Sequence, residues 1–225
     1  MAVFVISDTH GRYDELCLAF THANIEDEDF VVHLGDLTNG VENSKDGDLA
    51  CLEMVGREID VLLVGNHEIP YFHCANHFSG FHYYEEIDLK LHELFHDEGR
   101  ISAAFLHEGT LITHAGISRG QLTPDMHTVS HVWDKIEQEW HTQNFSHRLF
   151  SDVGHTRGGD KQEGGILWCD FQWEFEPVEL FPQIVGHTTG NNIRIKGNAI
   201  CIDAQGDVRN PDHRLPTIIK LEERK

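Results

Sequence analysis

Short apolar runs and segments of helical period alternate along the chain. Val3-Phe4-Val5-Ile6 is an unbroken apolar run, mostly β-branched or aromatic, and predicts a buried strand. Tyr13, Leu16, Cys17 and Phe20 then recur at the spacing of one helix face. Phe30-Val31-Val32-His33-Leu34 predicts a second strand and Leu49, Leu52 and Val55 a second helix. Val61-Leu62-Leu63-Val64 predicts a third strand. This βαβαβ order calls for an α/β fold, a parallel or mixed sheet covered by helices. Two more helices are predicted around Ile87, Leu91, Leu94 and Phe95, and around Val132, Trp133, Ile136 and Trp140. Later strands are predicted at Ala103–Leu106, Leu111–Thr113, Gln183–Val185, Ile193–Lys196, Ala199–Ile202 and Thr217–Leu221. Arg157–Gly165, with four glycines, reads as a mobile loop. No internal repeat interrupts the order, and one domain over residues 1–225 is expected.

Five of these strands run into a short motif bearing metal-ligand side chains. They are Asp8-Thr9-His10-Gly11, Gly35-Asp36, Gly65-Asn66-His67-Glu68, His114-Ala115-Gly116 and Gly186-His187-Thr188. The carboxyl ends of parallel strands lie along one edge of a sheet, where ligands bind. Residues almost 180 positions apart can therefore converge there. Two carboxylates, one amide and three imidazoles are too many ligands for one tetrahedral ion but suit two neighbouring ions. Asp36 is the natural bridge between them. Mixed Asp and His ligands favour Mn²⁺, Fe or Zn²⁺ over Ca²⁺ or Mg²⁺. Such a pair of ions suits in-line displacement at phosphorus.

Composition narrows the partners. The chain has 225 residues and a formal net charge of −21, which argues against a nucleic-acid surface or an anionic membrane. No apolar run approaches the ~18 residues of a membrane span, and Met1-Ala2-Val3-Phe4 lacks the basic start of a signal peptide. Five scattered cysteines without a C-x-x-C fit reduced thiols in an intracellular, cytoplasmic protein. The 18 histidines are the compositional anomaly.

The ordered set D-x-H, G-D, G-N-H-E, H-A-G and G-H-T resembles the calcineurin-like metallophosphoesterase superfamily. Within it, the chain is most similar to bacterial and phage phosphoprotein phosphatases (serine/threonine phosphatase-like), with symmetrical dinucleoside tetraphosphatases as close relatives. The match runs from Asp8 to His187, and the strand end Ile202-Asp203-Ala204 extends it. The resemblance implies a β-sandwich of mixed sheets flanked by helices and a dinuclear centre of two divalent metal ions, Mn²⁺ foremost. It implies that Asp8, His10 and Asp36 hold the first ion, and Asp36, Asn66, His114 and His187 the second. It further implies that a metal-bridging hydroxide attacks phosphorus and that His67 protonates the leaving oxygen. The expected reaction is hydrolysis of phosphate monoesters, with phosphoserine and phosphothreonine among the substrates. Dinucleoside polyphosphate hydrolysis is the alternative.

Two departures stand out. Where the phosphoprotein phosphatases it resembles read G-D-x-x-D-R-G, this chain has Gly35-Asp36-Leu37-Thr38-Asn39-Gly40-Val41. Asn39 replaces the Asp that partners the catalytic His, so His67 is left with a weaker partner or a different one. Gly40 replaces a phosphate-binding Arg, for which Arg157 and then Arg12 are the candidate substitutes. These losses also admit a non-catalytic metal-binding adaptor. Gly186-His187-Thr188-Thr189 lacks the second His of G-H-x-H, which lowers the nuclease and diesterase readings.

Several motifs are decoys. His92-Glu93-Leu94-Phe95-His96 spells the H-E-x-x-H of a zinc protease. Ser102, however, stands where the extended motif has its third His, and Leu91, Leu94 and Phe95 form a core stripe. His73 and His77 are likewise four apart. Gly154-His155-Thr156 repeats G-H-T without a preceding apolar strand. Asp46-Gly47-Asp48 and Ile25–Asp29 read as solvated acidic loops. His131, His141 and His147 read as solvated positions on the long helix.

Overall fold

A computed structural model describes residues 1–39, 44–73, 81–205 and 215–222. The first sheet contains β1 (Val3–Ile6), β2 (Phe30–His33), β3 (Val61–Leu63), β4 (Ile101–Ser102) and β10 (Ile218–Leu221), in the order β10-β1-β2-β3-β4. β1 to β4 are parallel and β10 runs antiparallel to β1. The second sheet contains β5 (Phe105–His107), β6 (Thr110–Ile112), β7 (Gln183–Val185), β8 (Arg194–Lys196) and β9 (Ala199–Cys201), in the order β5-β6-β7-β9-β8. Its central strands β6, β7 and β9 are parallel, and antiparallel β5 and β8 close its edges.

Strand alternation explains the layers. Val3 and Val5, Phe30 and Val32, and Val61 and Leu63 face the second sheet, where they meet Ile112, Ile184 and Ile202. Phe4, Ile6, Val31 and Leu62 point the other way, into the helices. α1 (Tyr13–Ala23), α2 (Lys45–Glu53) and α4 (Glu85–His96) bury Leu16, Leu52, Leu91 and Leu94 in that layer. α5 (Val129–His141) adds Val132, Ile136 and Trp140, which lie four residues apart on one face. Two single-turn helices, α3 (Ile69–Phe72) and α6 (Arg148–Ser151), complete the set. The expected sandwich of mixed sheets is therefore present, but helices do not cover it everywhere. The outer face of the second sheet, at Val185, Ala199 and Cys201, packs on the irregular segment carrying Cys169, Phe171 and Phe175.

The predicted strand Ala103–Leu106 is where the chain changes sheets. β4 ends at Ser102 and β5 begins at Phe105. The freed N–H groups of Ala103 and Ala104 donate to Oε1 of Glu137 on α5, at 3.1 and 2.9 Å. An apolar pattern cannot mark such a switch, because both sheets bury their strands. Asp46-Gly47-Asp48 is not a solvated loop: it forms the first turn of α2, and Asp48 is buried. His147 is not on the long helix either, because α5 ends at His141 and His147 caps α6. Cys51, Cys169 and Cys201 are buried free thiols, and burial pushes the Cys51 and Cys201 pKa values up to about 12. Gly40, Cys74 and His77 lie outside the described residues. Among the described residues, no helix is long and apolar enough to cross a membrane.

Candidate metal centre

The six central parallel strands point their carboxyl ends at one edge of the sandwich. β1 ends at Asp8, β2 at Asp36, β3 at Asn66 and His67, β6 at His114, and β7 at His187. β9 adds Asp203 and Gln205 at the same edge. The loops approach too closely for side chains at their glycines. A Cβ on Gly35 would lie 2.7 Å from the Gly65 nitrogen, and one on Gly186 would lie 2.3 Å from Oδ1 of Asp8. The turns are also strained. His10, Asp36 and His187 hold φ at 55°, 50° and 64°, a left-handed region uncommon for residues other than glycine.

Two clusters share Asp36. In one, ligand atoms of Asp36, His114 and His187 lie within 4.8 Å of one another. Nε2 of His114 is 3.0 Å from Oδ1 of Asn66, 3.1 Å from Nδ1 of His187 and 3.5 Å from Oδ1 of Asp36. Nδ1 of His114 donates to the Leu34 carbonyl at 2.9 Å, which leaves Nε2 a lone pair aimed at other lone pairs. Nε2 of His187 is buried without a hydrogen-bond partner among the described residues. In the other cluster, His10, Asp36 and His67 converge within 4.8 Å. Both imidazoles place Nε2 3.9 Å from Oδ2 of Asp36.

Electrostatics supports the same fit. Burial, Asp203 and Asp36 together hold the Asp8 pKa well above the usual carboxylate range. Burial likewise raises Asp36. Burial lowers His10, His114 and His187 below the ordinary imidazole value, with neighbouring histidines adding to the shift. Crowded carboxylates beside neutral imidazoles, their lone pairs converging, form a donor set that divalent cations would satisfy.

The placement differs in part from expectation. Asn66, His114, His187 and Asp36 come together as the second group expected. In the first group His10 and Asp36 come together, with His67 beside them. Asp8 is buried, and both its carboxylate oxygens lie 3.1 Å from the His187 nitrogen. Asn39 does not partner His67 through its amide. Nδ1 of His67 donates instead to the Asn39 backbone carbonyl at 2.8 Å. The amide turns away, donating to the Tyr71 hydroxyl (3.1 Å) and the His82 carbonyl (3.2 Å) and accepting from the His82 N–H (3.1 Å). Nη2 of Arg157 pairs with Asp170 at 3.2 Å and reaches Oγ1 of Thr188, next to His187, at 3.5 Å. Arg12 donates to the Thr9 carbonyl and to Gln205, whose amide in turn donates to the Asp8 carbonyl.

Glu68, which ends the motif Gly65-Asn66-His67-Glu68, has a role that the sequence pattern alone does not assign. Its fully buried carboxylate accepts from the N–H groups of Asp36 (2.8 Å), Gly65 (3.0 Å) and Thr38 (3.0 Å), tying the β2 and β3 loops together. Burial and then Asp36 raise its pKa to about 7. Asp203 is also buried, and its Oδ1 has no hydrogen-bond partner among the described residues. Its signal was its place at a strand end like the five motifs.

The decoys stay apart from this centre. His92 and His96 stack at 5.6 Å on α4, with Nε2 of His92 3.6 Å from Asp88. Glu93 is paired with Lys90. Among the described residues neither His92, His96 nor His73 joins a group of three ligands. His155 is exposed, with Nδ1 3.2 Å from the Gly159 carbonyl.

The calcineurin-like phosphoesterase sequence profile matches residues 1–189. Solved structures share the fold. A cold-active protein-tyrosine phosphatase from a psychrophilic Shewanella species is 18% identical, with a TM-score of 0.52 over 90% of this chain and 71% of that one. A Saccharomyces cerevisiae serine/threonine phosphatase similar to human PP5 is 14% identical, with a TM-score of 0.53 over 100% and 81%. A proposed diadenosine tetraphosphatase is 16% identical, with a TM-score of 0.53 over 98% and 92%. No curated protein sequence matches.

Proposed function

Because the chain belongs to the calcineurin-like phosphoesterase family, we propose that it is a two-metal phosphatase, a single domain acting on phosphate monoesters. Phosphoserine and phosphothreonine are the leading substrates. The observation that carries this reading is the pair of clusters sharing Asp36, each with one carboxylate oxygen toward its imidazoles. Asp36, Asn66, His114 and His187 would hold one ion, and Asp8, His10 and Asp36 the other. Mn²⁺ is the proposed metal, with Fe or Zn²⁺ also suited to these donors. Bound there, two divalent ions supply Lewis acidity toward a phosphoryl oxygen and the attacking water.

The chain's own groups do the rest. The Asn39 carbonyl holds a proton on Nδ1 of His67 and leaves Nε2 toward the site; with a second proton on Nε2, as imidazolium, His67 would pass that proton to the leaving oxygen and return to the neutral Nδ1–H form. Glu68 fixes the loops that present Asp36 and His67. Arg157 binds the phosphoryl group in place of the Arg absent at Gly40, with Arg12 as the second candidate. The substrate is phosphorylated, and neither nucleic acid nor membrane is a proposed partner of this acidic chain, which is proposed to act in the cytoplasm.

The test is turnover of p-nitrophenyl phosphate and a phosphoserine peptide after metal removal. Chelation abolishes activity, and Mn²⁺ restores it better than Mg²⁺. Full activity in excess chelator refutes the two-metal reading. Faster turnover of diadenosine tetraphosphate than of monoesters would favour the alternative substrate. Absence of any turnover by metal-loaded protein would favour the adaptor. Casein cleavage would favour the zinc protease.

A further inference from the structure

The loop carrying Arg157 is organised by the turn that follows Trp168. Oε1 of Glu174 accepts the Thr156 N–H at 2.7 Å, and Oε2 accepts the Gly164 N–H at 3.2 Å. One carboxylate thus staples both ends of the connection. Gly154 packs so tightly here that a Cβ would lie 2.0 Å from Oε2 of Glu174. The expected loop is present, but it is tethered across its width.

Asp170, in the same turn, divides its carboxylate between two tasks. Oδ1 accepts the N–H groups of Gln172 and Trp173 at 2.9 and 3.0 Å, closing an Asx turn. Oδ2 lies 3.2 Å from Nη2 of Arg157. That nitrogen is also 3.5 Å from Oγ1 of Thr188, which accepts the Phe171 N–H at 2.8 Å. The guanidinium is thereby held beside the residue following His187. Nη1 and Nε of Arg157 make no hydrogen bond among the described residues, and the side chain keeps 31% of its surface.

Closing the turn needs one oxygen, and a neutral Asn would supply it. The second oxygen is part of a buried charge, which is costly to desolvate unless a cation accompanies it. The long Arg side chain loses rotamer entropy when it is ordered. An Arg already held by Asp170 has met that cost before a ligand arrives, which is how preorganisation raises affinity.

We propose that Asp170 is a positioning residue for phosphate recognition, holding the Arg157 guanidinium against Thr188 with Nη1 and Nε left for the phosphoryl group. This rests on the assignment of Arg157 as the phosphate-binding residue. Asp170→Asn keeps the turn acceptor and removes the charge.

The experiment compares wild type, Asp170→Asn, Arg157→Ala and the double variant. It measures inorganic phosphate binding to metal-loaded protein by calorimetry, KM and kcat for p-nitrophenyl phosphate, metal content and Tm. In Asp170→Asn the phosphate Kd and the KM rise on the order of tenfold, the scale on which such outer partners act. kcat changes by less than about threefold, and Tm and metal content hold. The double variant is no worse than Arg157→Ala alone, because both lesions remove one device. Unchanged phosphate affinity in Asp170→Asn overturns the proposal, as does additivity in the double variant. A fall in Tm with kcat and KM moving together also overturns it, as a purely structural role. Unchanged affinity in Arg157→Ala overturns it through its premise. Phosphate binding without turnover in wild type sinks the phosphatase reading, while the affinity comparison still decides the role of Asp170.

Discussion

Placing at position 39 the Asp of the phosphoprotein phosphatases that the chain resembles is expected to harm this protein. Asn39 is 5% exposed and has φ of +58°. Asn39→Asp turns its donating nitrogen into an acceptor facing the His82 carbonyl, now 3.2 Å away. The Tyr71 hydroxyl, which currently donates to the His82 carbonyl at 3.1 Å, would turn to the new carboxylate and leave that carbonyl without a proton. Asp48 accepts the Asn39 N–H at 3.0 Å, and burial already raises the Asp48 pKa to about 7. A second buried carboxylate must therefore ionise in poor surroundings or keep its proton. An unsatisfied buried polar group costs about 1–3 kcal/mol. Retaining a proton at pH 7 against an unfolded pKa of about 3.9 costs up to ~4 kcal/mol, and at pH 5 only ~1.5 kcal/mol. The sign follows: the folded pKa of the new Asp lies above its unfolded value. The penalty therefore grows as pH rises from about 4 and is least in acid. Urea titrations of wild type and variant at pH 5 and pH 7 measure it, with an expected loss of ~2–4 kcal/mol at pH 7 and a smaller loss at pH 5. Because the His67 partner is the position-39 backbone carbonyl, kcat on a phosphoserine peptide does not rise. A tenfold gain in kcat with unchanged stability would show that the side chain reaches His67, and would refute the reasoning.

Three further perturbations test other parts of the molecule. His67→Asn keeps both metals and loses ~10²–10⁴-fold on a phosphoserine peptide but much less on p-nitrophenyl phosphate, whose leaving group departs without a proton; loss of an ion on metal analysis would instead make His67 a ligand. Asp36→Asn costs both ions, whereas His92→Ala and His96→Ala leave about two per chain; metal analysis of the His92 variant would revive the zinc-protease reading if one ion were missing. Glu137→Ala strands the N–H groups of Ala103 and Ala104 where the chain changes sheets, and is expected to cost about 3 kcal/mol, or roughly 6–12 °C in Tm by calorimetry; a change under 2 °C would mean that water replaces the carboxylate.

The sequence by itself determined the order of elements and the edge at which the chemistry gathers. Val3–Ile6 matches the observed strand residue for residue, because a strand buried on both faces of a parallel sheet reads as a near-continuous apolar run. The six candidate ligand positions could be nominated because a strand end followed by Gly, Asp or His is a local pattern. Only the tertiary structure decided who faces whom. The identity of the His67 partner depends on Asn39, 28 residues away, turning its amide toward Tyr71 and His82 and its carbonyl toward the imidazole. Asp46-Gly47-Asp48 looks like a solvated loop in sequence, yet Asp48 is buried against the β2 loop by contacts that no local periodicity carries. Glu68 links two strand ends, and Asp170 meets Arg157 from a separate turn. Hydrophobic pattern reports which face of an element is buried. The direction of a polar side chain is settled by its remote partners, and those are chosen only when the two sheets pack.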